Sequence, residues 1–232
     1  MPHRPEDDWD ELARHEPYFA VLTNEEFLLD RLTPEAIWRF WSSGEEDVAF
    51  LFDATGAIEP EIAVDFGSGL GRLTRPLAQR AKRVIGVDAS PTMLALALKL
   101  PNVTYTDRLS ESADFICSLI VFQHIPVDRG EELFRDLLRR LRPGGIAAIH
   151  FALSRPGGAL KRFARKIRGS MPIVHRLTQI LRGERKLPYM QINTYDREKL
   201  ISIVREEGCR EPRFVPYDQA EVKGAILITS RA

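Results

Sequence analysis

Cysteine is scarce in this chain: its 232 residues hold only Cys117 and Cys209. Two thiols without a C-x-x-C spacing exclude a disulfide framework and a thiolate metal centre. Cys117 lies in the apolar run Phe115-Ile116-Cys117-Ser118-Leu119-Ile120 and reads as a buried, inert thiol. Long hydrophobic runs are lacking as well, since no apolar stretch approaches the roughly 20 residues of a membrane helix. The polar, acidic residues 1–8 lead into no signal-peptide pattern. Together these absences predict a cytoplasmic protein with no transmembrane segment. Net charge is absent too, with 33 Lys+Arg against 33 Asp+Glu, so the electrostatic footprint of a nucleic-acid binder is missing. His3, His15 and His175 have no metal-ligand spacing, and no carboxylate–histidine cluster calls for a metal.

What is present is unevenly distributed. Residues 1–61 carry sixteen acidic side chains against four basic ones, whereas residues 137–183 hold eleven Lys/Arg and no acid. The apolar and charged fractions, 44% and 28%, are those of an ordinary globular domain with a core of its own. The N-terminal sixty residues read as helices. Thr33-Pro34 supplies an N-cap with proline at the first helical position, and Ser43 with Glu46 has the spacing of a capping box that would open a further helix.

From Ile62 onward, strand and helix alternate. Short β-rich runs occur at Ile62-Ala63-Val64-Asp65, at 83–88, at 103–105, at 115–122 and at 146–152. Helical stretches over 70–81, 90–100 and 131–141 separate them, the last closed by Arg142-Pro143-Gly144-Gly145. This alternation predicts an α/β, doubly wound, mostly parallel sheet. Over 155–186 two amphipathic stretches with basic outer faces interrupt it, predicting an inserted helical hairpin. A helix over 196–207 and runs at 213–217 and 224–229 then close the chain as an antiparallel edge pair. The expected whole is one domain with a seven-stranded sheet: helical cover 1–61, ligand-binding core 62–154, helical lid 155–192, closing elements 193–232.

The chemistry centres on Asp65-Phe66-Gly67-Ser68-Gly69-Leu70-Gly71-Arg72, a strand feeding a glycine-rich turn that opens onto a helix. Such turns bring backbone amides close to a ligand. Arg72 occupies the place where the dinucleotide pattern G-x-G-x-x-G requires its last glycine, which counts against a nicotinamide oxidoreductase. Asp65, ahead of the turn, would repel a pyrophosphate and attract a cation. Asp88, at the end of the second strand, is placed to accept both hydroxyls of a ribose; its alternative role is to cap the helix that follows.

In order, residues 65–72, 84–90, 113–126 and 141–145 resemble the successive motifs of class I, Rossmann-like S-adenosylmethionine-dependent methyltransferases. The resemblance covers 62–152 well, and the closing helix and strands extend it. It implies S-adenosylmethionine as cofactor. Asp65, Gly67, Ser68, Gly69 and Gly71 would hold the methionine moiety and Asp88 the ribose. Ala89 and Met93 would lie near the adenine, and Phe122 and Gln123 near the methyl group. The short 108–113 stretch leaves either Asp107 or Leu109 for the adenine amino group. Tyr18 would either close the methionine end or pack on the core. His124, following the fourth strand, is the candidate base or a brace of its own turn, and His150 is a catalytic candidate or a core histidine.

The expected activity is methylation of a small or medium hydroxylated molecule, a sugar or secondary metabolite, on oxygen. The alternatives are N-methylation of a small amine or peptide, or a non-catalytic cofactor-binding partner subunit. The basic segment 155–186 would meet an acidic or carrier-bound acceptor, a membrane surface, or the chain's own acidic front. Met190, Gln191, Asn193 and Tyr195 would line the acceptor pocket. No nucleic-acid substrate is expected.

Overall fold

The structure, a computed structural model, describes residues 5–56, 59–155 and 192–232. The expected basic hairpin and its lysines and arginines beyond Arg155, together with Met190, Gln191, His3 and His175, lie outside the described residues. The strands are β1 (Ile62–Phe66), β2 (Arg83–Val87), β3 (Val103–Thr106), β4 (Ala113–Ser118), β5 (Leu141–Ser154), β6 (Arg213–Pro216) and β7 (Lys223–Ser230). They form a seven-stranded sheet in the order β3-β2-β1-β4-β5-β7-β6. All pairings are parallel from β3 across to β5, while β7 runs antiparallel to both neighbours. This is the doubly wound arrangement the alternation predicts. The strand order reverses between β1 and β4, and at that reversal a crevice opens at the carboxyl ends of the strands.

Side-chain alternation along the strands explains the two covered faces. Val64, Ile116, Ile149 and Leu227 point to one side, where they meet Phe134 and Leu137 of α6 (Val127–Arg139) and Leu200 and Ile203 of α7 (Arg197–Glu206). Their neighbours Ala63, Phe115, Cys117, Ala148 and Ile226 point to the other side, against Val48, Leu51 and Phe52 of α3 (Pro34–Thr55) and Leu77 of α4 (Thr74–Leu77). Each fully buried large side chain contributes about 1.5–3 kcal/mol by leaving water. A third cluster joins α1 (Pro5–His15) and α2 (Pro17–Val21) to the first half of α3 and to Met93 of α5 (Pro91–Leu96), so the N-terminal helices sit over the crevice.

Four local expectations need correction. Ser43 opens no helix: α3 is continuous for 22 residues, and the Ser43 hydroxyl donates to the Phe40 carbonyl at 2.8 Å. The capping-box spacing therefore falls inside a helix whose cap is Thr33, with its hydroxyl accepting from Ala36 N at 3.2 Å. The stretch 70–81 contains only the single turn of α4, because the glycine turn continues through Leu70 to Leu73 before a helix can start. The fourth strand stops at Ser118, not Phe122; Ile120 takes φ 64° and Phe122–His124 forms a 3-10 turn. Finally, Arg142-Pro143-Gly144-Gly145 belongs to β5, while α6 has already ended at Arg139.

Candidate functional site

β1 delivers Asp65 to the crevice and then turns sharply. Gly67, Gly69 and Gly71 all have positive φ (80°, 51° and 92°). At Gly67 the need is also steric, since a Cβ there would lie 2.2 Å from a Val121 methyl. The turn thus combines left-handed backbone with close approach from the β4 end, and only glycine meets both conditions. The Gly67 and Ser68 amides donate to the Val87 carbonyl at 2.7 and 3.0 Å, tying the turn to the end of β2.

Asp88 follows β2 and sits at the head of the cleft. Its Oδ2 accepts from Gly69 N at 2.8 Å and its Oδ1 from Ser90 N at 2.9 Å. The helix cap is Ser90, whose hydroxyl accepts from Met93 N, so Asp88 does not cap α5; it braces the turn ahead of it, and each oxygen retains acceptor capacity. Burial raises its pKa against those two backbone hydrogen bonds, which lower it. Asp65 is 1% exposed, and its Oδ2 accepts from the Thr74 hydroxyl at 2.6 Å. Burial pushes its carboxyl up to about 6, with the Thr74 hydrogen bond and Arg72 pulling the other way. Arg72 is buried under the turn and paired with Asp47 of α3 at 2.6 Å. Arg72 nonetheless still draws on Asp65, and the cleft wall carries Arg72, Arg108, Arg129 and Arg140 as well as Asp65, Asp88, Asp107 and Asp136.

The cleft measures about 670 Å³, within the range of small-ligand sites. It brings together Asp65, Gly67, Ser68, Gly69, Asp88, Ala89, Met93, Asp107, Leu109 and His124 from the expected set. Both candidates for the adenine end, Asp107 and Leu109, are on the wall, the first exposed and the second buried. The Ser68 hydroxyl is buried without a hydrogen-bond partner at this wall. Carboxylates at one end, a glycine turn and an apolar strip of Val87, Met93 and Leu109 fit a ligand carrying positive charge, vicinal hydroxyls and a flat heterocycle. Among the described residues no group of His, Cys, Asp and Glu could hold a metal ion, and no helix is long and apolar enough to cross a membrane.

Other expected residues lie elsewhere. Gly71 backs onto the Tyr105 hydroxyl rather than the cleft. Tyr18 packs edge-on against Phe40 at 4.9 Å, and Ala20, Val21, Leu22 and Thr23 form the wall in its stead. Phe122 is fully buried among Phe66, Phe151 and Tyr195, and Gln123 lies behind His124; Ile120, Val121 and His124 stand where those two were expected. The Tyr195 hydroxyl reaches the Phe122 and Ile125 carbonyls at 3.0 Å each, and Asn193 N donates to the Gln123 carbonyl at 2.7 Å. Those two residues brace the 3-10 turn from behind instead of lining a pocket. His150 is fully buried on β5, its Nε2 3.1 Å from the Tyr217 carbonyl. Burial lowers its pKa to about 4. It faces the β6–β7 hairpin and not the cleft.

His124 does face the cleft. Its Nε2 lies 3.1 Å from the Gln123 amide nitrogen, and its ring meets Trp9 of α1 edge-on at 4.6 Å. Trp9 is a wall residue that sequence reasoning missed. The available signal was Trp9, Leu12 and Ala13 at i, i+3 and i+4 in an otherwise acidic segment, the apolar face of a helix that docks. Ile120 was missed as well: a β-branched residue with positive φ is a strained exception, and no sequence rule places one there.

Residues 64–149 match the family model of a methyltransferase domain. An uncharacterized methyltransferase of Oceanobacillus iheyensis is 32% identical over 94 residues, covering 37% of this chain and 44% of that protein. A trans-aconitate 2-methyltransferase of Azoarcus sp. is 39% identical over 95 residues, covering 37% of each chain. The matched stretch thus spans less than half the length of either relative. Among solved structures, magnesium protoporphyrin IX methyltransferase from Synechocystis PCC 6803 with bound S-adenosylmethionine superposes with a TM-score of 0.65 at 15% identity, covering 100% of this chain and 99% of that one.

Proposed function

From a chain whose residues 64–149 match the model of a methyltransferase domain, we propose that the whole protein is a class I, Rossmann-like S-adenosylmethionine-dependent methyltransferase. Its substrate on this reading is a small or medium hydroxylated molecule, methylated on oxygen. The observation that carries the cofactor reading is the meeting of Asp88 with the Gly69 amide at 2.8 Å. It joins a ribose acceptor and a glycine turn at one end of the cleft, whose wall also carries Asp65.

Bound there, S-adenosylmethionine supplies an electrophilic methyl group on a sulfonium. The chain's own residues hold and align. Asp88 accepts from the ribose hydroxyls, the glycine turn shapes the methionine end by its close backbone, and Asp65 sets a negative potential beneath it. Val87, Met93 and Leu109 exclude water from the adenine face. His124 stands at the acceptor end, where its imidazole takes up the hydroxyl proton. Trp9, Ile120, Val121, Ile125 and Pro126 surround it with apolar surface, which favours an acceptor with an apolar body over a bare sugar.

One observation favours a second reading, N-methylation of a small amine. The Gln123 amide nitrogen donating to His124 Nε2 occupies the imidazole lone pair, and a neutral amine needs positioning more than a base. Transfer from methyl-labelled S-adenosylmethionine to panels of phenols, alcohols and amines, by wild type and His124→Ala, separates the two. With a hydroxyl acceptor the variant is expected to lose about 10²-fold or more in kcat. Labelled amine product with kcat nearly unchanged would favour the amine, and no labelled product from either panel would count against both.

A further inference from the structure

Asp10 of α1 is 8% exposed and lies 80 and 82 residues from Ser90 and Thr92 in sequence. Its Oδ1 accepts from the Ser90 hydroxyl at 2.7 Å and from Thr92 N at 3.0 Å, and its other oxygen pairs with Arg14. The Ser90 hydroxyl in turn accepts from Met93 N at 3.1 Å, capping α5. Ser90 N donates to Asp88, and Asp88 accepts from Gly69 N. An unbroken series of hydrogen bonds therefore runs from the N-terminal helix, through the start of α5, to the glycine turn. Trp9, one residue before Asp10, rests on His124. The same helix thus touches both ends of the cleft.

We propose that Asp10 is a positioning residue for cofactor binding: it latches α1 onto the Asp88 turn and keeps the Asp88 carboxylate directed into the cleft. Donors compete for the two carboxylates here. Four donors converge at the start of α5 and the glycine turn: the Ser90 hydroxyl and the amides of Ser90, Thr92 and Gly69. Asp10 takes two of them, the Ser90 hydroxyl and the Thr92 amide. Asp88 is left with one on each oxygen, so its remaining lone pairs are free for two ligand hydroxyls. Without Asp10, the Ser90 hydroxyl and the Thr92 amide lose their acceptor at the start of α5, beside the Asp88 turn, and an orphaned donor at a helix start is itself costly. The bonds to Asp10 also hold its pKa below the ordinary carboxylate value, the Ser90 hydroxyl contributing most, so the latch is ionised at neutral pH.

This inference rests on the cofactor reading, and its test separates the two. Stopped-flow release of S-adenosylhomocysteine is measured for wild type, Asp10→Ala and Asp10→Asn, alongside hydrogen exchange of each protein without ligand. Asp10→Ala is expected to release the ligand roughly tenfold faster and to exchange faster at Gly69 and Thr92, not only within α1. Asp10→Asn, which keeps an oxygen able to accept both bonds, is expected to restore most of the wild-type rate. Hydrogen exchange confined to α1 with an unchanged release rate would overturn the inference and leave the cofactor reading standing. A wild type that binds no S-adenosylhomocysteine would overturn the reading and the inference with it.

Discussion

At the scale of single residues, the cleft depends on a buried carboxyl. Asp65 has its pKa pushed up to about 6 by burial, above its unfolded value near 4. The folded state therefore holds the extra proton between about pH 4 and pH 6, and the stability contributed by this group falls as pH rises across that window. Asp65→Asn is accordingly expected to be more stable than wild type at pH 8, by up to about 3 kcal/mol, and so to melt at higher temperature, with the gap closing toward pH 4. Melting curves across this range check it; parallel curves for the two proteins would show that Asp65 is not so perturbed. A ligand ammonium group beside Asp65 favours its ionised form, so S-adenosylhomocysteine, through its amino group, should bind more tightly as pH rises through 6, and Asp65→Asn should lack that trend. Asp65, Asp88 and the glycines were legible because they lie at or just past the carboxyl ends of β1 and β2, where the backbone course follows from sequence. Asp10 and Trp9 were not: their partners are 80 and 115 residues away, and nothing local to them points there.

At the scale of elements, α3 does more than cover the site. Its second half packs on the sheet through Val48, Leu51 and Phe52, while its first half joins the cluster over the crevice. Between the halves, Gly44 meets the backbone of the glycine turn: a Cβ there would lie 2.2 Å from the Arg72 carbonyl oxygen. Backbone cannot yield as a flexible side chain does, so Gly44→Ala must move the helix or the turn. We expect a loss of about 1–3 kcal/mol from overpacking, read as a lower Tm, together with weaker S-adenosylhomocysteine binding. An unchanged Tm would show that α3 does not rest on the turn as described. The same contact explains why the capping-box spacing at Ser43 misled. Local pattern offered a helix start, but packing on both the sheet and the turn favours one long helix, and tertiary context outweighs a cap worth about 1 kcal/mol. The end of β4 was misplaced for a related reason. The apolar run continues to Phe122, yet Phe122 is apolar because it fills the core beside Phe151, not because it extends the strand.

At the scale of the molecule, the alternation of strand and helix from Ile62 onward determined the layers, and the antiparallel closing strand followed from two β-rich runs joined by a short loop. The strand order then places Asp65, Asp88 and His124 at one crevice, although they lie up to 59 positions apart in the chain. Charge adds to this: the acidic front of the sequence contributes Asp10 and Asp47, which organise donors around the cleft rather than merely solvating a surface. The central claim is that this crevice binds S-adenosylmethionine through the ribose acceptor Asp88. Calorimetric titration of S-adenosylhomocysteine into wild type and Asp88→Ala tests it most directly. The account predicts micromolar binding by wild type and a loss of about tenfold or more in the variant, at least 1.4 kcal/mol, with both proteins folded. Equal binding by the two, or none by a folded wild type, would contradict it.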